Sequence, residues 1–263
     1  IVIISGGIDL SVGSMVALSA ALGIVALNKI MGGGGSELNA TVVAGAVCVG
    51  SATLLGLFNG FLIAYARIAP FIATLIGLVA FRSLCLALAS GGEIRSASIE
   101  LFPSIGRGGL SVPFVEVAPD RPLVFTWAVI LFILCALVAG FLLNKTKFGR
   151  YTIAVGANEK AAVYSAINTK ATKMYAYMLL GLFTGIAAFT LATRMNAIAS
   201  SSIGMYYELD AIAAVVIGGT SLRGGYGRIW GTVVGVLLLK MITNMLIVAE
   251  VSVYWQGVVK GAI

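Results

Sequence analysis

The sequence predicts an all-α fold, a polytopic bundle of transmembrane helices, and three observations carry that expectation. Of 263 residues, 60% are hydrophobic and only 10% charged, and the mean hydropathy is +1.05. A soluble domain carries roughly 25% charged residues to face water. The uncharged runs Leu10–Asn28, Leu38–Ala66, Pro122–Asn144 and Met174–Thr193 each reach about the ~20 residues a helix needs to cross the hydrocarbon core. None of them alternates apolar and polar residues as the ~10-residue strands of a membrane barrel do, and a helix satisfies its own backbone in lipid.

Charge orients the bundle. Residues 145–173 hold six basic residues (Lys145, Lys147, Arg150, Lys160, Lys170, Lys173) against Glu159 alone. Residues 93–121 hold three (Arg95, Arg107, Arg121) against four acids (Glu93, Glu100, Glu116, Asp120). The positive-inside rule puts 145–173 in the cytoplasm and 93–121 outside. The net charge of +7 thus belongs to a lipid bilayer and not to nucleic acid, because the basic residues flank apolar runs.

Alternation then orders the elements. Ile1–Ile4 is an apolar remnant. Val12–Leu27 runs outward to the Gly32–Gly35 loop, Thr41–Ala66 returns to Arg67, and Ala69–Gly92 runs outward again. Pro122–Asn144 comes in, Met174–Thr193 goes out, and Glu208–Leu222 returns to Arg223 and Arg228. Ile229–Ala249 follows, and a stretch from Val251 stops inside the apolar run Val258–Ile263. The expectation is seven full spans and two remnants within one transmembrane domain, residues 1–263, cut through a helix at both ends. A weak repeat divides it into two halves. Gly6-Gly7-x-x-Leu10 returns as Gly218-Gly219-x-x-Leu222, and Gly50, Asn59 and Ala64 match Gly235, Asn244 and Ala249 at an offset of 185.

Several chemistries are excluded. There is no histidine, hence no His base or His metal ligand. Cys48, Cys85 and Cys135 lie singly in apolar runs and read as buried small hydrophobes, so neither a metal site nor a catalytic residue is expected. No GxxxxGK[ST] loop occurs, so no ATP is hydrolysed by this chain.

Three segments carry the functional expectations. In Ser5–Ser14, Gly6, Gly7, Asp9 and Ser11 interrupt an apolar stretch. They form either a broken helix along a solute path or a capped turn between spans. In the second, Glu208 and Asp210 lead into Gly218, Gly219 and Thr220; the acids either cap a helix or guide a polar solute, while the glycines permit close backbone packing. The third lies in the cytoplasmic loop. Asn158 is an expected N-cap, Ala162, Val163, Ala166 and Ile167 form a helical stripe, and Asn168 is an expected end. About ten residues cannot span, so this helix docks into a partner or lies on the lipid surface. Arg82 and Lys240 interrupt apolar spans, where a basic group at mid-bilayer costs roughly 2.5–3.5 kcal/mol without compensation.

These motifs resemble the permease subunits of bacterial ATP-binding-cassette importers for ribose and related sugars. The matching stretches are Ile3–Ser14, Pro70-Phe71-Ile72-Ala73-Thr74-Leu75, Gly156-Ala157-Asn158-Glu159-Lys160-Ala161-Ala162, Tyr207–Leu222 and Gly224-Gly225-Tyr226-Gly227. The resemblance implies a bacterial inner-membrane protein of about 8–10 spans when complete. It implies a second permease copy or paralogue, two cytoplasmic ATP-binding subunits carrying the ATP-Mg, and a periplasmic or lipoprotein sugar-binding protein. It makes Asn158–Ile167 the coupling helix, with Gly156, Asn158, Glu159, Ala162, Val163, Ala166 and Ile167 as coupling residues. Gly6, Gly7, Asp9, Ser11, Glu208, Asp210, Gly218, Gly219 and Thr220 are then expected to shape the path. The chain departs from the family at Ser165-Ala166-Ile167, Arg82-Ser83 and Ser200-Ser201-Ser202-Ile203-Gly204. A secondary transporter, using Asp9, Glu208 or Asp210 as the group coupled to protons or sodium, is the competing reading.

Overall fold

The computed structural model describes residues 1–118 and 121–262; Asp120 of the expected outer loop and the terminal Ile263 lie outside them. The elements follow in chain order: α1 (Val12–Gly32), α2 (Glu37–Ala64), α3 (Pro70–Leu88), β1 (Glu93–Arg95), α4 (Leu101–Arg107), β2 (Gly109–Ala118) and β3 (Arg121–Thr126). After them come α5 (Trp127–Lys145), α6 (Lys147–Ala157), α7 (Glu159–Tyr164), α8 (Thr169–Met195), β4 (Ala197–Ala199), α9 (Tyr207–Ile217), α10 (Ile229–Val248) and α11 (Val253–Ala262). Six described helices, α1, α2, α3, α5, α8 and α10, are long and apolar enough to cross a membrane.

The bundle is organised around α1. Every residue from Gly13 to Ala21 is buried, which is the pattern of a helix enclosed on all sides. The antiparallel pair α2 and α8 lies against it. Ala44, Cys48, Ala52, Gly56 and Gly60 recur every fourth residue on α2, which sets them along one face. A Cβ on Gly56 would stand 2.4 Å from the Tyr177 carbonyl, and one on Gly181 would stand 2.3 Å from the Ala52 carbonyl. In lipid, apolar burial does not drive helices together, so close backbone packing along small residues does. Cys48 and Cys85 are buried as expected, whereas Cys135 on α5 is only half-buried.

Three expectations are corrected. Glu208–Leu222 is not a span: α9 has 11 residues, or about 16 Å at 1.5 Å per residue, half the ~30 Å core. The apolar window looked longer because Gly218–Leu222 continued it, but Gly219 takes a φ of +81° and turns the chain. Six full spans therefore replace seven. The entry to α5 moves from Pro122 to Trp127, because 121–126 pairs as a strand with β2, Leu110 opposite Phe125. The loop helix is shorter than Asn158–Ile167, since α7 stops at Tyr164 and Ala166, with a φ of +58°, reverses the chain. Asn168 ends nothing; its Oδ1 accepts from the Ala171 N–H at 3.0 Å and caps the start of α8.

On the outer side β1 pairs antiparallel with β4, and α4 is tied to the bundle. Glu37 Oε1, at the start of α2, accepts from the Leu101 N–H at 2.9 Å and from the Ser98 hydroxyl. Asn28 at the outer end of α1 donates to the Arg95 carbonyl and accepts from the Ala97 N–H, both at 2.7 Å.

Candidate functional site: two non-helical segments and a cytoplasmic glycine junction

The first broken segment precedes α1. Ile1–Gly6 forms a tight turn, closed by the Ser5 N–H and Ser5 hydroxyl donating to the Val2 carbonyl at 3.0 and 2.7 Å. From Gly7 the chain continues without helix, through a bend at Leu10, to Ser11, the residue that precedes α1. Asp9 Oδ1 accepts from the Ser11 N–H at 2.7 Å and the Ser11 hydroxyl at 2.6 Å. Asn59 of α2 donates to the same hydroxyl at 2.9 Å, and the Tyr177 hydroxyl of α8 donates to the Ile8 carbonyl at 3.1 Å. These bonds satisfy backbone that no helix satisfies, which is the condition for irregular chain at membrane depth. Asp9 and Ser11 are buried, at 6% and 0% exposure, so the knot lies among α1, α2, α3 and α8 and does not line an open cavity.

The second broken segment runs from β4 into α9. Arg82 of α3 donates from Nη1 to the Ser200 carbonyl at 3.0 Å and the Ile203 carbonyl at 2.7 Å. The charge that looked misplaced in an apolar span therefore serves carbonyls that lack a helix. Gly204, with a φ of +71°, lies on Gly13: a Cβ on either would stand 2.0–2.2 Å from the other's carbonyl oxygen. Glu208 and Asp210 occupy the first turn of α9, where their charge favours the helix dipole. Lys240 of α10 pairs with Asp210 at 3.7 Å.

Lys240 stands at mid-length of the span α10, so the accessible side-chain surface of the pair, 66% and 33%, faces the bilayer or a neighbouring subunit and not bulk water. An unpaired basic group at that depth costs roughly 2.5–3.5 kcal/mol. Asp210→Asn is therefore expected to destabilise the protein by roughly 2 kcal/mol in mixed-micelle denaturant titrations, and Asp210→Asn/Lys240→Met to recover most of that loss. Equal losses in the single and double variants would contradict a pairing role for Asp210.

α9 and α10 fold back on one another across glycines, since a Cβ on Gly231 would reach 2.0 Å from the Gly218 carbonyl, and one on Gly235 would reach 2.0 Å from that of Ala214. Thr220 is buried beside Gly227. The chain beyond then meets the first segment. The Gly225 N–H donates to the Ile4 carbonyl at 2.8 Å, and Gly224 and Gly225 have φ of +85° and +73°. Gly156, near the end of α6, closes the junction. A Cβ there would stand 1.8 Å from the Ile4 oxygen and 2.6 Å from the Gly225 nitrogen. One at Gly224 would reach 2.8 Å from the Gly156 carbonyl and 3.1 Å from the Gly6 Cα. Three glycine motifs that are far apart in sequence thus touch at a single point.

α7 projects from that point. Asn158 Oδ1 accepts from the Ala161 N–H at 3.0 Å and caps it, and Glu159 pairs with Lys173 of α8 at 2.7 Å. The expected stripe divides. Ala162 is buried and Ile167 half-buried, whereas Val163 and Ala166 face outward. The most prominent side chain is one that sequence reasoning missed, Tyr164, at 89% exposure. Sequence reasoning also missed Ile4, whose contribution is a backbone carbonyl.

The cavity between α5, α8 and α10, about 570 Å³, is lined largely by apolar side chains such as Leu131, Phe183, Leu191 and Val236. It offers little to hydrogen-bond a hydroxylated solute.

Six described spans, one of them the enclosed α1, with two non-helical segments and a cytoplasmic elbow, define a multi-pass permease of the inner membrane. The family model for the permease component of the branched-chain amino acid transport system matches residues 1–263, and the chain belongs to that family. It is 41% identical over 278 residues to the ribose import permease protein of Bacillus subtilis strain 168, which covers 100% of this chain and 75% of the relative. Identity to the ribose import permease protein of Escherichia coli K12 is 38%, over 100% of this chain and 76% of the relative. The galactose/methyl galactoside import permease protein of Haemophilus influenzae is 34% identical, over 99% and 77%. No solved structure matches the chain.

Proposed function

We propose that this chain is the pore-forming subunit of an ATP-driven, binding-protein-dependent importer of a monosaccharide, a ribose-like pentose or a hexose. The relatives named above are import permeases for ribose and galactosides, which favours sugar import over an ion-coupled secondary transporter. The observation that carries the mechanism is the glycine junction. α7, with Tyr164 and Val163 outward, is the surface on which a cytoplasmic ATPase docks, and its root at Gly156 touches the first broken segment at Ile4 and the chain leaving α9 at Gly225. Displacing α7 moves Ile4 and the chain entering α1, and through Gly225 the chain leaving α9, in one motion. Gly6, Gly7, Asp9 and Ser11 hold the first of these segments, and Glu208, Asp210, Gly218, Gly219 and Thr220 hold the second. Two ATP-binding subunits carrying ATP-Mg, a second permease copy or paralogue, and a sugar-binding protein complete the system.

Reconstitution with the ATPase and binding protein encoded beside it tests this reading. Uptake is expected to require ATP and the binding protein together, and Ser165→Cys is expected to crosslink to the ATPase. Uptake by the chain alone, driven by a proton or sodium gradient, would overturn the proposal, as would an intact complex that gives no crosslink.

A further inference from the structure

A cationic pocket lies on the cytoplasmic side, where α2 ends, α3 and α8 begin, and α7 packs against them. Its volume is about 390 Å³, and Arg67, Lys170, Lys173 and Glu159 line it. Glu159 is taken up by Lys173 at 2.7 Å. Arg67 and Lys170 make no ion pair among the described residues, and Lys170 stands 5.7 Å over the Tyr65 ring. Thr169 also lines the space, so the positive end of the 27-residue helix α8 adds to the same field. The pocket thus carries a surplus of two positive charges that the protein does not neutralise.

Two features select the ligand. The pocket sits at the ends of three spans, in the plane where the phosphates of the cytoplasmic leaflet lie, and its floor is apolar, formed by Ile63, Ala64, Ile68 and Pro70. From its edge an uncovered apolar strip runs along the two spans beside it. Phe61 and Tyr65 of the α2 end stack at 5.5 Å and are about half exposed, as are Phe71 and Ile72 of α3. Cations at the headgroup level, continuous with aromatic and aliphatic surface, match an amphiphile with an acidic head. Free phosphate would use the cations but leave the strip bare.

We propose that this pocket binds the phosphate of an anionic phospholipid from the cytoplasmic leaflet, between Arg67 and Lys170, with the acyl chains along Phe61, Tyr65, Phe71 and Ile72. The site requires only the membrane orientation and is independent of the transported solute. Because Glu159 and Lys173 form one wall, a bound lipid also steadies the root of α7.

The test is native mass spectrometry of the assembled importer, offered phosphatidylglycerol and phosphatidylcholine of identical acyl chains, with inorganic phosphate as a competitor. Phosphatidylglycerol is expected to be retained preferentially. A cation near the membrane surface is worth about fivefold in binding, so the Arg67→Gln/Lys170→Gln variant is expected to lower that preference roughly tenfold to thirtyfold. Arg67→Lys is expected to keep most of it. Lys147→Gln/Arg150→Gln, which removes two charges elsewhere on the same side, is expected to change nothing. Size-exclusion profiles matched to wild type show that the variants are folded. Equal retention of the two lipids, including the case in which an ATPase carboxylate occupies the pocket, would overturn the proposal. Displacement by millimolar inorganic phosphate would replace the lipid with a free anion, and an undiminished preference in Arg67→Gln/Lys170→Gln would place the lipid elsewhere.

Discussion

Gly156→Ala is expected to leave ATP hydrolysis by the assembled importer running while sugar uptake per ATP falls about tenfold or more. The added methyl carbon would stand 1.8 Å from the Ile4 carbonyl oxygen and 2.6 Å from the Gly225 nitrogen. Both obstacles are backbone, so no side-chain rotation relieves the contact. Overpacking of this kind costs about 1–3 kcal/mol, and the least costly response is to separate the α6 end from one of its two partners. Either separation detaches α7 from the chain entering α1 or from the chain leaving α9. Uptake is read as a ratio to ATP hydrolysed, so a smaller yield of folded protein cancels. Gly140→Ala is the control, because a Cβ there meets nothing within 4 Å and an alanine within a helix is stabilising by up to about 1 kcal/mol. An unchanged ratio of uptake to hydrolysis in Gly156→Ala would remove the junction from the coupling route.

The second large effect is expected at Arg82. Arg82→Leu removes the donor to the Ser200 and Ile203 carbonyls, leaving two acceptors of a non-helical segment without it. Each buried acceptor left unsatisfied costs about 1–3 kcal/mol, so a loss of about 2 kcal/mol or more is expected in denaturant titrations in mixed micelles. The loss is expected to be local. Hydrogen exchange in 198–206 is expected to rise while the amides of the α2–α8 seam keep their protection. Arg82→Lys offers one flexible ammonium in place of a planar donor and is expected to recover only part. Uniformly faster exchange across the bundle would show that Arg82 supports the whole fold, and no change at 198–206 would show that the segment is held by other means.

How far the sequence reaches differs between elements. The six spans were legible because long apolar runs have few alternatives in lipid, and the cytoplasmic loop because its six basic residues outnumber a single acid. Asn158 was legible as an N-cap, because that residue before Glu159 and a small-residue run is a local signal. α9 was not, since the window Glu208–Leu222 has the length of a short span and nothing in it states that the chain turns at Gly219. Arg82 was visible as an anomaly but its partner was not: Ser200 lies 118 residues away and contributes a backbone oxygen, which carries no residue-type signature.

The repeat between the halves shows the same limit. Asn59 is fully buried on Ser11, whereas its counterpart Asn244 on α10 is exposed. The two Gly-Gly motifs sit at opposite ends of helices, before α1 and after α9, yet their neighbourhoods converge at Gly156. By itself the sequence determined the solvent, the orientation, the helical class and the family, because hydropathy, charge asymmetry and ordered motifs are properties of the chain read locally. Only the tertiary structure decided that α9 is half a span, that Tyr164 is the exposed tip of α7, and that the three glycine motifs form one junction. Those outcomes depend on backbone atoms meeting at van der Waals distance across more than 200 residues of chain, from Ile4 to Gly225, and a glycine announces only that a close approach is permitted, not with what.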